Sequence, residues 1–412
     1  MRIGFDISQT AEKKAGCGFF ADQIITNLIE IDKENQYLLY PVFYGYRHPN
    51  FKQSFQSKQK NVQMLFHDLS WEQANELWNN NNIQRDHLLG FPDIVHSNNY
   101  SCPNDVKAKK IVTIYDTTYL DYPDFTTEEN RLTCFDGAFE SSIYADHIIT
   151  ISNFSKNSIL KYFPYYPEER VSVVYLGSRP SLSISLNQHK IRKIKNKLGI
   201  SNEFWLGVGT IEPRKNYRLL LEAFAKLVHN AGETRDLYIA GDRGWLENDI
   251  DRMVNILGLE KRVRFLGYVT DEELAVLYSS CYAFIYPSHF EGFGLPVLEA
   301  ISCGAPVVTS RTSSLPEIAG EGALFINPRE VDSLVEAMTR LLSHPGLRET
   351  LKTAALKQSR KFSWKNTTEQ ILDIYHQVME NKPWFSNDYT ARPLEHSNVT
   401  AKGNQKNRKN SS

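Results

Sequence analysis

The stretch that decides the fold is "AFIYPSHFEGFGLPVLEAISCG", residues 283–304. It opens with an apolar, aromatic and β-branched run, "AFIYPS", which predicts a buried strand. It closes with "LPVLEAISCG", a helical pattern with Pro296 in its first turn, where a missing N–H costs little, and Gly304 as its stop. "HFEGFG" is then the turn that leaves the carboxyl end of a strand and enters a helix. Gly292 and Gly294 let the backbone come close to a ligand. The amides that follow, with the helix dipole, favour an anion, most naturally a phosphate. Two acids flank this turn, Glu291 on the loop and Glu299 one turn into the helix. Carboxylates beside a phosphate would repel it. Both are therefore expected to face neutral hydroxyls, a ribose at one end of a diphosphate and a sugar ring at the other.

Outward from this unit, the same alternation repeats. "FWLGVG", "LYIAG", "VRFLG", "PVVTS" and "ALFIN" are further strand-like runs in the second half. Helical patterns separate them, such as "NYRLLLEAFAKLVHN", with Leu219, Leu220, Ala223, Phe224 and Leu227 on one face. In the first half the runs are "RIGFDIS", "YLLYPVF", "DIVHS", "KIVTIYD", "HIITIS" and "VSVVY", with helix-like stretches such as "FFADQIITNLIEI" between most of them. Strands alternating with helices predict parallel sheets covered on both faces. The fold class is α/β, with two Rossmann-like parallel-sheet domains facing across a cleft, the usual place for a ligand.

"GSRPSLSISLNQ" (177–188) is rich in Ser, Gly and Pro and reads as a linker. The basic run "HKIRKIKNKLG" that follows reads as the solvated face of a short helix rather than a membrane or phosphate site. The expected organisation is an acceptor-side domain over 1–180, a linker and lead-in helix over 181–202, and a donor domain over 203–362. A crossing helix over 363–382 follows, with Ser363 or Asn366 as its cap. The polar, Asn-rich tail over 383–412 is expected to be mostly disordered.

Composition narrows the function. A chain of 412 residues is too long for one ordinary core. Its formal net charge of −1 offers no electrostatic footprint for a nucleic-acid partner. The five cysteines, Cys17, Cys102, Cys134, Cys281 and Cys303, form no C-x-x-C pair, which argues against a zinc or disulfide framework and for a reducing compartment. "MRIGFDIS" becomes a strand at once, and nowhere do 18 apolar residues run together. The expectation is a cytoplasmic enzyme that touches the inner face of a membrane only peripherally.

The two glutamates of the opening stretch, with seven residues between them, resemble the hallmark of the retaining GT-B glycosyltransferases of family 4. "GTIEPRKNYRLLLEAF" (209–224), "YVTDEELAVLYSSC" (268–281) and "SSLPEIAGEGALFINP" (313–328) resemble successive segments of the same family's donor domain. The likeness is strong from about 203 to 380 and weaker over 1–180. It implies that Glu299 bonds the ribose hydroxyls and Glu291 the hydroxyls of the transferred sugar. It implies that the backbone around Phe293, Gly294 and Leu295 holds the diphosphate, and that Gly209 begins the loop carrying Arg214 and Lys215. The residues agree: two cations just after the strand "FWLGVG" can stabilise charge on a departing nucleotide diphosphate, so the expected chemistry needs no metal and no cofactor beyond the nucleotide-sugar donor.

Weaker signals surround this core. "GCGFFA" (16–21) fits a dinucleotide fingerprint, but "QTAEKKA" separates it from its strand, and the next strand ends without the acid a ribose needs. A Gly loop at the cleft is the better reading, and the resemblance also places it near the donor, making Gly16 and Gly18 site candidates. "VTIYDTT" carries Tyr115 and Asp116 where the family often has His-Asp. Tyr115 is a candidate hydroxyl partner for the sugar, and Asp116 a catalytic candidate or a turn cap. The D-x-D at Asp249–Asp251 falls in a helical pattern and reads as a solvated face. His96 and His289 end strands and read as structural.

Together these features predict transfer of a hexose, with retention, from a nucleotide-diphosphate sugar to a glycan or lipid-linked acceptor hydroxyl. The likeness of "EPRKN" and "SSLPEIAG" to bacterial polysaccharide mannosyl- and rhamnosyltransferases makes GDP-mannose the first donor to try. Front-face attack and double displacement both remain open. Two other readings compete. A sugar-nucleotide epimerase would need an acid and a base on both sides of the sugar, and a non-catalytic nucleotide-sugar-binding protein is favoured only by Tyr115.

Overall fold

The computed structural model describes residues 1–10, 16–44, 55–66, 69–80, 84–185, 187–244 and 249–382. The tail expected to be disordered lies outside them. The first sheet holds β1 (Arg2–Asp6), β2 (Gln36–Tyr40), β3 (Val62–Met64), β4 (Ile94–Ser97), β5 (Lys109–Thr113), β6 (His147–Thr150) and β7 (Val171–Val173), in the order β3-β2-β1-β4-β5-β6-β7. The second holds β8 (Phe204–Val208), β9 (Asp236–Ala240), β10 (Val263–Gly267), β11 (Ala283–Tyr286), β12 (Val307–Ser310) and β13 (Ala323–Ile326), in the order β10-β9-β8-β11-β12-β13. Every strand pairing within the two sheets is parallel.

The central strands β4, β6, β8, β11 and β12 are buried along their whole length, as parallel strands covered on both faces must be. The twelve apolar runs of the sequence all become strands. The edge strand β3 was not legible: its three residues, Val62, Gln63 and Met64, are partly exposed and carry no apolar run.

Helix boundaries follow from local chemistry. Thr270 and Glu273 form a reciprocal capping box at the start of helix Asp271–Ser280. Ser363 caps helix Trp364–Glu380 by accepting from the Asn366 amide. That last helix returns to the first half. Its Tyr375 hydroxyl lies 2.7 Å from His96 Nδ1 inside the first sheet's core, and Lys109 donates to the Asn381 carbonyl at 2.8 Å. His96 is therefore structural: it is fully buried, with Thr113 Oγ1 3.0 Å from its other nitrogen.

The basic run of the lead-in segment forms helix Gln188–Lys197. Lys190 and Lys197 pair with Glu272 and Glu273 at 3.0 and 2.7 Å, so part of its charge faces the neighbouring helix rather than water alone.

Loops at the carboxyl ends of β5 and β6 meet the loop after β11. Ser152 Oγ donates to the Gly292 carbonyl at 2.7 Å, and Glu317 accepts from the Asn153 amide at 2.9 Å and the Tyr175 hydroxyl at 2.6 Å. The two halves thus face each other across the carboxyl ends of their sheets.

Candidate active site

The turn between β11 and helix Leu295–Ser302 sits at this junction. Gly294 has φ 95°, a left-handed conformation that favours glycine. A Cβ there would also lie 2.7 Å from Leu315 Cδ2. A Cβ on Gly292 would lie 2.8 Å from Asp116 Cβ and Oδ2 and 3.0 Å from the Tyr115 carbonyl. What an added side chain would meet at both positions is protein, and in the case of Gly292 it is the opposite half of the molecule.

The carbonyls of the turn are engaged by side chains from both halves. Ser314 Oγ donates to the carbonyls of Glu291 (2.9 Å) and Phe293 (2.8 Å), and Ser152 takes that of Gly292. Ser313, at φ 52°, accepts from the Glu291 amide at 2.9 Å. Such left-handed non-glycine residues are strained and cluster at functional sites. With these carbonyls engaged, the amides of Phe293, Gly294 and Leu295 donate to no acceptor among the described residues. The Phe293 side chain is buried against Tyr175 and Phe362, which holds the turn in place.

Glu291 lies beneath the turn in a buried ion cluster. Its Oε2 is 2.7 Å from Arg214 Nη1. Its Oε1 accepts from Lys215 Nζ (2.7 Å), Ser288 Oγ (2.7 Å) and Tyr286 OH (2.8 Å). Arg214 also pairs with Glu212 at 2.6 Å. Burial pushes the Glu291 carboxyl up, but Arg214 and Lys215 outweigh it and hold the group at about 2. Burial and Arg214 push Lys215 below its ordinary range, against the pull of Glu291. Two acids and two bases make the cluster neutral as it stands. Arg214 and Lys215 occupy a 3₁₀ turn, Pro213–Lys215, after β8. The next residue, Asn216, is left-handed at φ 59° and ties that turn to the carbonyls of Pro287 and Pro328.

Gly209 opens the same loop with φ 136°. A Cβ on it would lie 3.7 Å from Lys215 Cε, and one on Gly241 would lie 2.2 Å from the Gly209 carbonyl oxygen. From the first half, Asp116 reaches Gly292, accepts from the Thr118 amide at 2.9 Å, and is pushed above the usual carboxylate range by burial. Gly16 starts helix Gly16–Ile31, and a Cβ on it would lie 3.9 Å from Leu295 Cδ1; Gly18 is buried in that helix's first turn. Tyr115 stands apart from the cluster. Its ring packs edge-on against Phe20 and Tyr100, and its hydroxyl donates to the Cys17 carbonyl at 3.4 Å. It braces the Gly16–Gly18 segment from within the first core.

Glu299, on the helix, is also buried and paired. The Arg179 guanidinium meets its carboxylate with two hydrogen bonds, Nε to Oε1 at 2.7 Å and Nη2 to Oε2 at 3.0 Å. Neither glutamate of the opening stretch faces hydroxyls alone, as its sequence reading expected; each is neutralised by cations. Arg179 itself was missed, because it sits in a Ser/Gly/Pro-rich segment with no periodicity. Glu212 and Ser288 were missed too, although both lie inside stretches already quoted.

Asp249 stands at the N-cap of helix Ile250–Ile256, and Asp251 pairs with Arg243 on the exposed surface. Among the described residues no group of three or more His, Cys, Asp or Glu is arranged to hold a metal ion. His289 stacks on Phe125 at 5.6 Å, and its amide donates to the Arg214 carbonyl. None of the described helices is long and apolar enough to cross a membrane.

Known proteins resemble this arrangement. A profile of the family "Glycosyl transferases group 1" matches residues 190–358. The O-antigen chain mannosyltransferase B of Escherichia coli is 33% identical over 283 residues, covering 68% of this chain and 74% of the relative. The serotype-specific mannosyltransferase WbdA of Escherichia coli is 31% identical over 313 residues, and there the match spans only 37% of the relative's length. In three dimensions, a sucrose-phosphate synthase from Thermosynechococcus elongatus superposes with a TM-score of 0.70 at 18% identity, covering 92% of this chain and 99% of that one. Anabaena HepE, solved with UDP and glucose, superposes with a TM-score of 0.67 at 18% identity, covering 92% and 100%. The chain belongs to the group 1 glycosyltransferases and has the GT-B fold.

Proposed function

We propose that this enzyme transfers a mannosyl residue, with retention, from a nucleotide-diphosphate donor to a hydroxyl of a glycan or lipid-linked acceptor in polysaccharide synthesis. GDP-mannose is the donor to try first. The observation that carries the reading is the buried Arg214–Lys215–Glu291 cluster beside the open amides of residues 293–295. The naming of related proteins as O-antigen mannosyltransferases supports the sugar.

In this reading the bond between the donor's anomeric carbon and the diphosphate oxygen breaks, one to the acceptor oxygen forms, and the acceptor hydroxyl's proton leaves with the diphosphate. The diphosphate gains negative charge as it leaves. Arg214, Lys215 and the amides of Phe293, Gly294 and Leu295 stabilise that charge, so the reaction needs no metal. Glu291 Oε1 is filled by three donors, while Oε2 receives Arg214 and keeps an acceptor site for a sugar hydroxyl. Glu299 accepts the ribose hydroxyls. Asp116 reaches across from the acceptor side. Membrane contact is peripheral and serves lipid-linked acceptors.

Incubation with a panel of nucleotide sugars, in chelator and with a mannan-type or lipid-linked acceptor, tests this. GDP-mannose is expected to give a glycosidic product of retained configuration by NMR, and protein bound to membranes is expected to be released by a high-salt wash. Binding of donors without transfer or hydrolysis would refute the enzymatic reading. Loss of turnover in chelator, restored by magnesium or manganese, would refute the metal-free chemistry.

A further inference from the structure

We propose that Arg179 is a positioning residue for the donor nucleotide, holding the Glu299 carboxylate oriented and ionised so that it can accept two ribose hydroxyls. The inference rests on the reading that Glu299 is the ribose acceptor. Its support is geometric. Arg179 meets Glu299 in a fork of two hydrogen bonds, 2.7 and 3.0 Å, one to each carboxylate oxygen. This arrangement fixes the plane of a carboxylate as well as its charge. A carboxylate has about four lone-pair sites. Arg179 uses one on each oxygen, which leaves one on each for a vicinal diol.

Arg179 is itself held from several sides. Its Nη1 donates to Asp271 Oδ1 at 2.5 Å, and Ser181 takes the other oxygen of Asp271. The Phe19 ring of the first half lies 5.3 Å from the guanidinium. Just before it, the Ser178 carbonyl accepts from Trp364 Nε1 at 2.8 Å, and a Cβ on Gly177 would lie 2.6 Å from the Trp364 ring. The segment therefore delivers one side chain to Glu299 from an anchored backbone. Phe19 lies next to Gly18, so the same guanidinium faces the first turn of helix Gly16–Ile31 in the opposite half.

The charge of Glu299 depends on this partner. The titratable groups around it are Arg179 on the linker, Asp271 and Tyr278 on helix Asp271–Ser280, and Cys303 at the end of its own helix. Of these only Arg179 is a cation. Burial dominates and leaves the Glu299 carboxyl above the usual carboxylate range; Arg179 and Tyr278 pull it down, and Asp271 pushes it up again. Without Arg179, only Tyr278 still draws the carboxyl down against burial and Asp271, and the group holds its proton to higher pH than in wild type. A protonated carboxyl cannot accept from two hydroxyls in the same way.

The test is calorimetric titration of the full chain with GDP across about pH 5.5 to 8.5, a window that brackets neutral pH. Four proteins are compared: wild type, Arg179→Met, Arg179→Lys and Glu299→Gln. Wild type supplies the reference profile, which includes the titration of the GDP phosphate itself. Arg179→Met is expected to bind about ten- to a hundredfold more weakly than wild type near neutral pH, with that deficit shrinking as pH rises. Arg179→Lys, which restores the charge without the fork, is expected to bind weakly, with a deficit from wild type that is the same at every pH. It also stands in if Arg179→Met does not fold. Affinity within twofold of wild type in both Arg179 variants overturns the proposal. So does a loss in Arg179→Met that is the same at every pH, because a purely structural role gives that result. If Glu299→Gln binds as wild type does, the ribose reading itself has failed. If Glu299→Gln is weakened while both Arg179 variants are not, only the role of Arg179 has failed.

Discussion

At the scale of single residues, the site is a set of charges balanced before any substrate arrives. Glu212 and Glu291 offset Arg214 and Lys215, all four buried or nearly so. Glu291→Gln leaves that cluster with one surplus positive charge. Nucleoside diphosphate binding is therefore expected to hold or tighten, while kcat falls, because the partner lost is a sugar hydroxyl's. Titration with GDP beside steady-state kinetics gives both values, and weakened GDP binding in Glu291→Gln would contradict the assignment. Lys215→Met is expected to behave differently. It leaves a buried carboxylate short of a partner, and breaking such a pair costs about 3–5 kcal/mol. Thermal unfolding should show a clear loss of stability as well as a loss of turnover; an unchanged Tm would mean the pair is not desolvated in solution.

At the scale of elements, two junctions are informative. The turn over residues 289–294 presses Gly292 against Asp116, with only 2.8 Å available to a Cβ. Gly292→Ala must push the halves apart at that point, and kcat is expected to fall at least tenfold while the second half stays folded. Wild-type turnover in that variant would show that the contact is not made during catalysis. The second junction is the last helix. His96 is held neutral by burial, down to about 3 from an ordinary 6.5. Below pH 6.5 the unfolded chain takes up a proton that the folded chain refuses. Its contribution to stability is thus complete above 6.5 and is lost as the pH falls toward 3. His147, pushed down to about 4 by burial, adds a slope of the same sign. Replacing His96 with Gln is expected to flatten part of the acid limb of a stability–pH curve from denaturant titrations; an unchanged limb would assign it to other groups. Tyr375→Phe, which removes one hydroxyl partner of His96, is expected to cost about 1 kcal/mol.

At the scale of the whole molecule, polar contacts at the mouth of the cleft tie the halves together. Glu317 gathers the Asn153 amide and side chain, the Phe154 amide and the Tyr175 hydroxyl, and Ser152 ties down Gly292. Glu317 thereby places negative charge at the N-terminus of helix Asn153–Tyr162, where the helix dipole favours it. Glu317→Ala removes the bonds to Asn153, Phe154 and Tyr175 without touching either core. The expected outcome is a more open average shape, read as a larger radius of gyration in small-angle scattering, with GDP restoring part of the compaction. Superimposable scattering curves would mean that aromatic packing, such as Phe154 on Phe290, holds the halves without Glu317.

Much of this was determined by the sequence alone, for a physical reason. Burial of a parallel strand demands a near-continuous apolar run, so twelve strands announced themselves, and only β3, short and half exposed at an edge, did not. The start and stop of helix Leu295–Ser302 were likewise local, set by Pro296 and Gly304. That Arg214, Lys215 and Glu291 belong near one site came from their places at the carboxyl ends of strands and from the family resemblance. What only the tertiary structure decided was the partner of each charge. Lys215 and Glu291 are 76 positions apart, and Arg179 and Glu299 are 120 apart. Nothing in the composition near Arg179 marks it, because its role depends on which helix ends converge on the linker. Tyr115 shows the converse: a residue singled out for the site turned inward, because Phe20 and Tyr100 offer its ring an apolar place to pack. Local chemistry writes elements into the chain, whereas the pairing of buried charges is settled by distance in space, which the order of residues does not carry.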